Sequence, residues 1–181
     1  MEKIILGIDP GTNILGYGIV ISKNTKIDII DCGILSLVKT KDAYIKLKKI
    51  YEFVTELIDR YHPDELSIES PFYAKNIQSM LKLGRAQGVA IAAALSRQLP
   101  IFEYSPRKIK QSVTGNGNAS KEQVAGMLNT MYGFDLGNQM LDASDALAAA
   151  ICHSFQNKIS LQKKEVKGWA SFITQNPDRI L

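Results

Sequence analysis

Apolar and polar positions alternate in blocks along the first forty residues. Residues 3–9 form a largely apolar run, residues 17–23 a second and residues 26–37 a third, joined by the short segments PGTNILG and KNTK. Apolar runs of this length, broken by Gly, Pro and Asn, predict strands, and connections this short predict an antiparallel meander. From residue 44 to 61 the period changes: Leu47, Ile50, Phe53, Val54, Leu57 and Ile58 recur at helical spacing, and Pro63 closes the segment. ELSIES, residues 65–70, reads as a short strand ended by Pro71. Residues 76–99 predict a long helix, with small residues at Gly84, Ala86, Gly88, Ala90 and Ala92 to Ala94 that suit close packing on the sheet or on another subunit. PIFEY then predicts a strand, PRKIKQSVTG a basic helix, NGNAS a polar loop, residues 121–132 a helix, and residues 142–155 an alanine-rich helix.

This order, three strands, helix, strand, helix, strand and then helices, predicts an α/β fold. Its sheet is mixed and five-stranded, with three antiparallel strands followed by two parallel ones reached through helical crossovers, flanked by helices. In such sheets, sites form beyond the carboxyl ends of adjacent strands. Asp9 ends the first predicted strand and Glu69 the fourth, so neighbouring strands would bring these carboxylates together. The length of 181 residues suits one domain, placed at residues 1–157. Residues 158–181 form a C-terminal extension, basic at Lys158, Lys163, Lys164 and Lys167, that contains the only tryptophan, Trp169. A surface helix or a partly ordered extension is expected there.

Composition narrows the class. Apolar residues make up 45% and charged residues 22% of the chain, as in globular proteins, and no apolar run reaches the roughly 18 residues of a membrane span. The amino terminus, MEKIILGIDP, lacks the long apolar core of a secretory signal, so a cytoplasmic location is expected. Cys32 and Cys152 have no partner at metal-ligand spacing and read as reduced, buried small hydrophobes. Charge is distributed unevenly. Residues 71–125 hold Lys75, Lys82, Arg85, Arg97, Arg107, Lys108, Lys110 and Lys121 against Glu103 and Glu122, a net +6 within a chain of net +4. The remainder is therefore −2, and such concentration favours a phosphate-binding face.

Asp9, Glu69, Asp142 and Asp145 each sit beside apolar or small residues at an element boundary, where an uncompensated carboxylate is costly. Asp142 and Asp145 share a helix face and repel unless a cation lies between them. Four such groups suit a one- or two-metal phosphoryl-transfer site. Simpler readings stand beside this one: Asp142 as an N-cap, Asp145 as a dipole-favoured first-turn residue, Asp9 as a turn residue and Glu69 as a plain strand end. Phe72 fits the core as well as a base-stacking wedge, Tyr17 and Tyr73 fit either core or DNA, and Lys121 fits an idle helix start as well as a phosphate contact. His153 reads as packed or on the surface. GNGNASK lacks the phosphate-loop pattern G-x-x-x-x-G-K-[ST], which excludes that nucleotide site.

The segments ILGIDPGTNILGYGI, SIESPFYAKNIQSMLKLGRAQGVAIAAA, FEYSPRKIKQSVTGNGNASKEQV and DASDALAAAICH, spread over residues 3–155, resemble the RuvC family of crossover (Holliday) junction endodeoxyribonucleases. That resemblance implies a ribonuclease H-like fold and paired hydrolysis of four-way DNA junctions in recombination and repair, leaving 5′-phosphate and 3′-hydroxyl ends. Asp9, Glu69, Asp142 and Asp145 match the family's metal-binding and catalytic tetrad, served by Mg²⁺ or Mn²⁺ with two ions per site. Phe72 matches its base-stacking aromatic, and Lys110 and Lys121 match basic residues linked to DNA binding and catalysis. Lys75, Lys82, Arg85 and Lys108 are further expected DNA contacts on the basic segment. The implied partners are a second copy of the chain and the branch-migration proteins RuvA and RuvB. Residues from 158 onward match no family motif. Two rival readings are an actin-like ATPase, which needs about twice this length, and a non-catalytic junction-binding module, which has no need of four carboxylates.

Overall fold

In the computed structural model the described residues are 2–23, 26–71, 76–133 and 141–163, with side chains of the last segment described to residue 156. Five strands, β1 (Glu2–Asp9), β2 (Ile14–Lys23), β3 (Lys26–Ser36), β4 (Glu65–Glu69) and β5 (Ile101–Tyr104), form one sheet in the order β3-β2-β1-β4-β5. β1 pairs antiparallel with β2, β2 antiparallel with β3, β1 parallel with β4, and β4 parallel with β5. This is the expected mixed sheet. β2 begins three residues before its predicted start, because Ile14 pairs with Ser36 and leaves only residues 10–13 for the turn.

The helices are α1 (Ala43–Tyr61), α2 (Ile77–Ser96), α3 (Pro106–Thr114), α4 (Lys121–Tyr132) and α5 (Leu141–Lys163). Their ends have local causes. Asp42 caps α1 by accepting from the Tyr44 and Ile45 amides at 2.8 Å, and His62 closes it in the left-handed region at φ 46°. Ser105 with Pro106 starts α3, Gly115 ends it at φ 75°, and a reciprocal Ser120/Gln123 capping box starts α4. α2 stops three residues short of the predicted residue 99, and Gln98 turns out of the helix at φ 57°. α5 runs to Lys163, past the expected boundary at residue 157. Residues 164–181, most of the expected extension, lie outside the described residues.

Alternation along β1 sorts its side chains to two faces. Leu6 and Ile8, with Leu66 and Ile68 of β4, pack under α1 and α2 through Ile50, Val54, Leu57, Ala86, Ala90 and Ala93. Ile5 faces the other way, into a cluster with Val20, Tyr104, Ile109, Val124, Leu128, Leu147 and Ile151 beneath α3, α4 and α5. The sheet is thus the middle of three layers. No described helix is long and apolar enough to cross a membrane. Cys152 is buried as expected, whereas Cys32 on β3 is only half-buried.

Candidate active site

Ile5, Gly7 and Asp9 share the face of β1 that looks toward α5, and Glu65, Ser67 and Glu69 share the matching face of β4. Because Ile8 pairs with Ile68, Asp9 and Glu69 emerge side by side at the carboxyl ends of two parallel strands. α5 lies on this face at very short range. A Cβ on Gly7 would sit 2.1 Å from the Ala146 carbonyl oxygen, and one on Gly16 would sit 2.0 Å from that of Asp142. Glycine is required at both positions for the helix to lie where it does. Ala143, Ala146, Ala149 and Ala150 supply the small surface on the helix side.

The axial position of α5 is fixed by polar contacts to β4. Ser67 Oγ donates to the Ala149 carbonyl at 2.7 Å, and His153 Nε2 lies 2.9 Å from Glu65 Oε2. Four residues of helix rise about 6.0 Å and two residues of strand about 6.6 Å, so the helix series 145, 149, 153 keeps step with the strand series 69, 67, 65. Asp145 is thereby set over Glu69. His153 is fully buried, with Nδ1 2.7 Å from the Tyr104 hydroxyl and its ring stacked on Phe102 at 4.2 Å between centroids. A neutral ring satisfies both contacts, with Nε2–H donating to Glu65 and Nδ1 accepting from Tyr104. Burial lowers the His153 pKa against the opposing pull of Glu65. Glu65 also pairs with Lys3, and these two partners hold it below the usual glutamate range although burial acts the other way.

The result is an acidic cluster. Asp9, Asp142 and Asp145 each offer a carboxylate oxygen within 4.8 Å of the others. Asp145 is 8% exposed. Burial, then the charges of Glu69 and Asp145, push Asp9 well above the usual carboxylate range, with Lys121 opposing. Burial and Asp145 push Glu69 up to about 7, against Lys121 and Lys110. Asp145 is also raised, chiefly by burial. Lys121 Nζ is 2.8 Å from Asp142 Oδ1 and 2.6 Å from Asp145 Oδ2. Those bonds raise its pKa although burial lowers it. One ammonium thus faces four carboxylates, an excess of negative charge that suits a hard divalent cation with oxygen ligands. The four carboxylates and Lys121 on α4, together with Lys110 on α3, whose charge acts on Glu69 and Asp145, are all named in the sequence reading.

The other expected DNA contacts lie apart from the cluster. Lys82 and Arg85 on α2 line a separate groove with Thr12 and Asn13. Lys108 places its ammonium 4.9 Å from the Tyr104 ring centroid, a cation–π contact. Phe72, Tyr73 and Lys75 lie outside the described residues. Tyr17 is a packing residue, edge-on to Phe53 with centroids 5.5 Å apart, and its hydroxyl donates to Asp31 at 3.1 Å. The alternation of sequence alone did not reveal the Glu65–His153–Tyr104 network, since its members are 39 and 49 residues apart. Glu65 at a strand start and a histidine in an alanine-rich helix were its only signals.

The family model described as crossover junction endodeoxyribonuclease RuvC matches residues 5–153. The crossover junction endodeoxyribonuclease RuvC of Cytophaga hutchinsonii is 57% identical over 180 residues, covering 99% of this chain and 89% of its own. That of Bacteroides fragilis is 55% identical over 181 residues, covering 99% of this chain and 96% of its own. Both alignments extend through the C-terminal residues that match no motif. Among solved structures, Thermus thermophilus RuvC in complex with a Holliday junction substrate superposes with a TM-score of 0.80 at 29% identity, covering 87% of this chain and 96% of the other. The yeast mitochondrial Holliday junction resolvase shares the fold, with a TM-score of 0.60 at 12% identity over 90% of this chain and 86% of the other. A carboxylate cluster at the ends of β1 and β4, closed by a helix laid on glycines, is thus found in a chain that matches this family over nearly its full length: the protein belongs to the RuvC family of crossover junction endodeoxyribonucleases.

Proposed function

We propose that this junction endonuclease hydrolyses phosphodiesters at four-way DNA junctions with Asp9, Glu69, Asp142 and Asp145 as the ligands of Mg²⁺, or of Mn²⁺ in its place, two ions to a site. The observation that carries this reading is the convergence of Asp9, Asp142 and Asp145 within 4.8 Å, beside a Glu69 whose pKa is raised by burial and by Asp145. The donor set is entirely carboxylate oxygen, which suits these hard ions, and a divalent charge offsets the repulsion that Lys121 only partly balances. Such ions supply an activated water and stabilise the leaving 3′ oxygen.

The chain's own groups do the rest. Asp9 and Glu69, fixed on paired strands, and Asp142 and Asp145, fixed on a helix held by Ser67 and His153, keep the ligand oxygens in place without reorganisation. Lys121, already within bonding distance of two of these carboxylates, neutralises charge on a phosphate delivered there, with Lys110 behind it. Water oxygen bonds to phosphorus as the bond to the 3′ oxygen breaks, leaving a 5′-phosphate and, after proton uptake, a 3′-hydroxyl. Lys75, Lys82, Arg85 and Lys108 bind arm phosphates, which gives recognition by shape and steep salt dependence, and Phe72 stacks on a base at the junction. Two copies of the chain make the paired cuts, a reading supported by the exposed Ile77, Leu81 and Leu95 on α2, at 67%, 50% and 61%. The enzyme acts in the cytoplasm with RuvA and RuvB in recombination and repair.

The test is Asp9→Asn assayed on a labelled synthetic four-way junction. Binding measured in EDTA is expected within about threefold of wild type and cleavage with Mg²⁺ is expected to be lost. Cutting by the variant at the wild-type rate would remove Asp9 from the metal site and with it this reading.

A further inference from the structure

A groove of about 520 Å³, separate from the acidic cluster, runs between the turn after β1, the start of α1 and the middle of α2. Its polar lining is Thr12, Asn13, Lys41, Lys46, Lys82 and Arg85, together with Tyr44 and Ser79, with no carboxylate among the described residues. Two of the four cations, Lys41 and Lys46, come from outside the basic segment, in the part of the chain whose net charge is −2. Asp42, the acid next to Lys41 in sequence, directs its side chain to the backbone amides of Tyr44 and Ile45 as the helix cap.

Three cations elsewhere on α1 and just after α2 have carboxylate partners, whereas Lys49 on α1 bonds the Thr40 hydroxyl at 3.0 Å. Lys48 pairs with Glu52, Arg60 with Glu56, and Arg97 with Asp59 through two hydrogen bonds of 2.8 and 2.9 Å. Lys46 instead bonds the neutral Asn13 amide oxygen at 2.8 Å. Lys41, Lys82 and Arg85 have no carboxylate partner among the described residues. Four cations brought into one groove from α2, α1 and the residue before the α1 cap, with the local acid occupied by that cap, repel one another, and an anion relieves that repulsion.

The chain path connects the groove to the chemistry. Thr12 and Asn13 lie three and four residues after Asp9, and α2, which carries Lys82 and Arg85, follows the strand that ends in Glu69. Both strands that present carboxylates therefore lead into the groove. We infer that this groove is a second phosphate-binding site, where Lys41 just before the α1 cap, Lys46 on α1, and Lys82 and Arg85 on α2 hold the sugar–phosphate backbone of the DNA arm leaving the acidic cluster. The inference rests on the junction-cleaving function. Its new content is the role of Lys41 and Lys46, which extends the DNA path across α1 and away from the basic segment.

The experiment measures binding of a labelled four-way junction in EDTA across a salt series for wild type, Lys41→Gln/Lys46→Gln, and Lys48→Gln. The control removes one positive charge from α1, outside the groove. The double variant is expected to bind at least tenfold more weakly at 150 mM salt, and its slope of log affinity against log salt should be shallower by about 2, roughly 0.9 for each lost phosphate contact. Lys48→Gln is expected to match wild type. An unchanged slope in the double variant, or an equal change in Lys48→Gln, overturns the inference. Millimolar inorganic phosphate serves as a competitor in the same series. If it abolishes the difference between wild type and the double variant while leaving most of the junction bound, the groove is a free-anion site and the inference fails. Cleavage by wild type and Lys48→Gln with Mg²⁺ is read in parallel, so absence of cutting would count against the proposed function while the binding slopes still decide the groove.

Discussion

Glu69→Gln should stabilise the metal-free protein while disabling it. In the folded chain Glu69 is pushed up to about 7 by burial and Asp145, against 4.5 for a free glutamate. The folded state therefore holds this proton more tightly than the unfolded chain, so its contribution to stability falls as pH rises through 4.5 and is fully lost above about 7. Each tenfold change in proton affinity is worth about 1.4 kcal/mol, so keeping Glu69 ionised at pH 8 costs at most about 3 kcal/mol. Partial access of water to the site brings the expected gain to about 1–3 kcal/mol. For a chain of this size each kcal/mol moves Tm by about 2–4 °C, so the variant should melt about 2–12 °C above wild type in EDTA at pH 8. Thermal unfolding followed by circular dichroism measures this, and at pH 5 the gap should shrink to less than about 1 kcal/mol, because the wild-type carboxyl is then protonated when folded. Mg²⁺ should raise the wild-type Tm more than the variant's, since a ligand stabilises the state that binds it. A Glu69→Gln protein that melts at or below wild type in EDTA at pH 8, or a gap that persists unchanged at pH 5, would refute the reasoning.

Gly7→Ala tests the seat of α5: its new Cβ would meet the Ala146 carbonyl oxygen at 2.1 Å, so the helix must shift. Forced repacking of this kind costs about 1–3 kcal/mol, and the expected result is a Tm lowered by about 2–12 °C with loss of junction cleavage, since Asp142 and Asp145 move with the helix. A Tm within 1 °C of wild type with cleavage retained would show that the close approach does not position the site. His153 should titrate below the 6.5 of a free imidazole, because burial disfavours its charged form. Its folded pKa being depressed, the stability it contributes is fully present above about pH 6.5 and is lost as pH falls through the lower folded value. Imidazole resonances followed by NMR from pH 8 to 4.5 report this directly, and a His153 midpoint at or above 6.5 would contradict the neutral, doubly bonded ring.

The sheet and the four carboxylates were legible because each left a mark on the local sequence. Ile8-Asp9-Pro10 and Ile68-Glu69-Ser70-Pro71 show apolar strands ending in acids, and parallel pairing follows from the helix between them. The alanines of α5 read only as a helix, and the partners that let it lie close to the sheet, Gly7 and Gly16, read as ordinary strand and turn glycines because their role depends on a helix more than 120 residues later. The same limit hid the Glu65–His153 contact that sets the phase of α5, since a histidine between Cys152 and Ser154 carries no periodic signal of its own. Summing charge by segment also misled in one respect. It placed Lys110 and Lys121 in the basic segment, yet it assigned Lys41 and Lys46 to an acidic remainder, because Asp42, Glu52 and Glu56 cancel them in the sum. In three dimensions those acids cap a helix or pair with Lys48 and Arg60, and the two lysines face Lys82 and Arg85 across the groove. Net charge along a chain counts what is present, whereas a phosphate responds to what is left unpaired on the surface it meets.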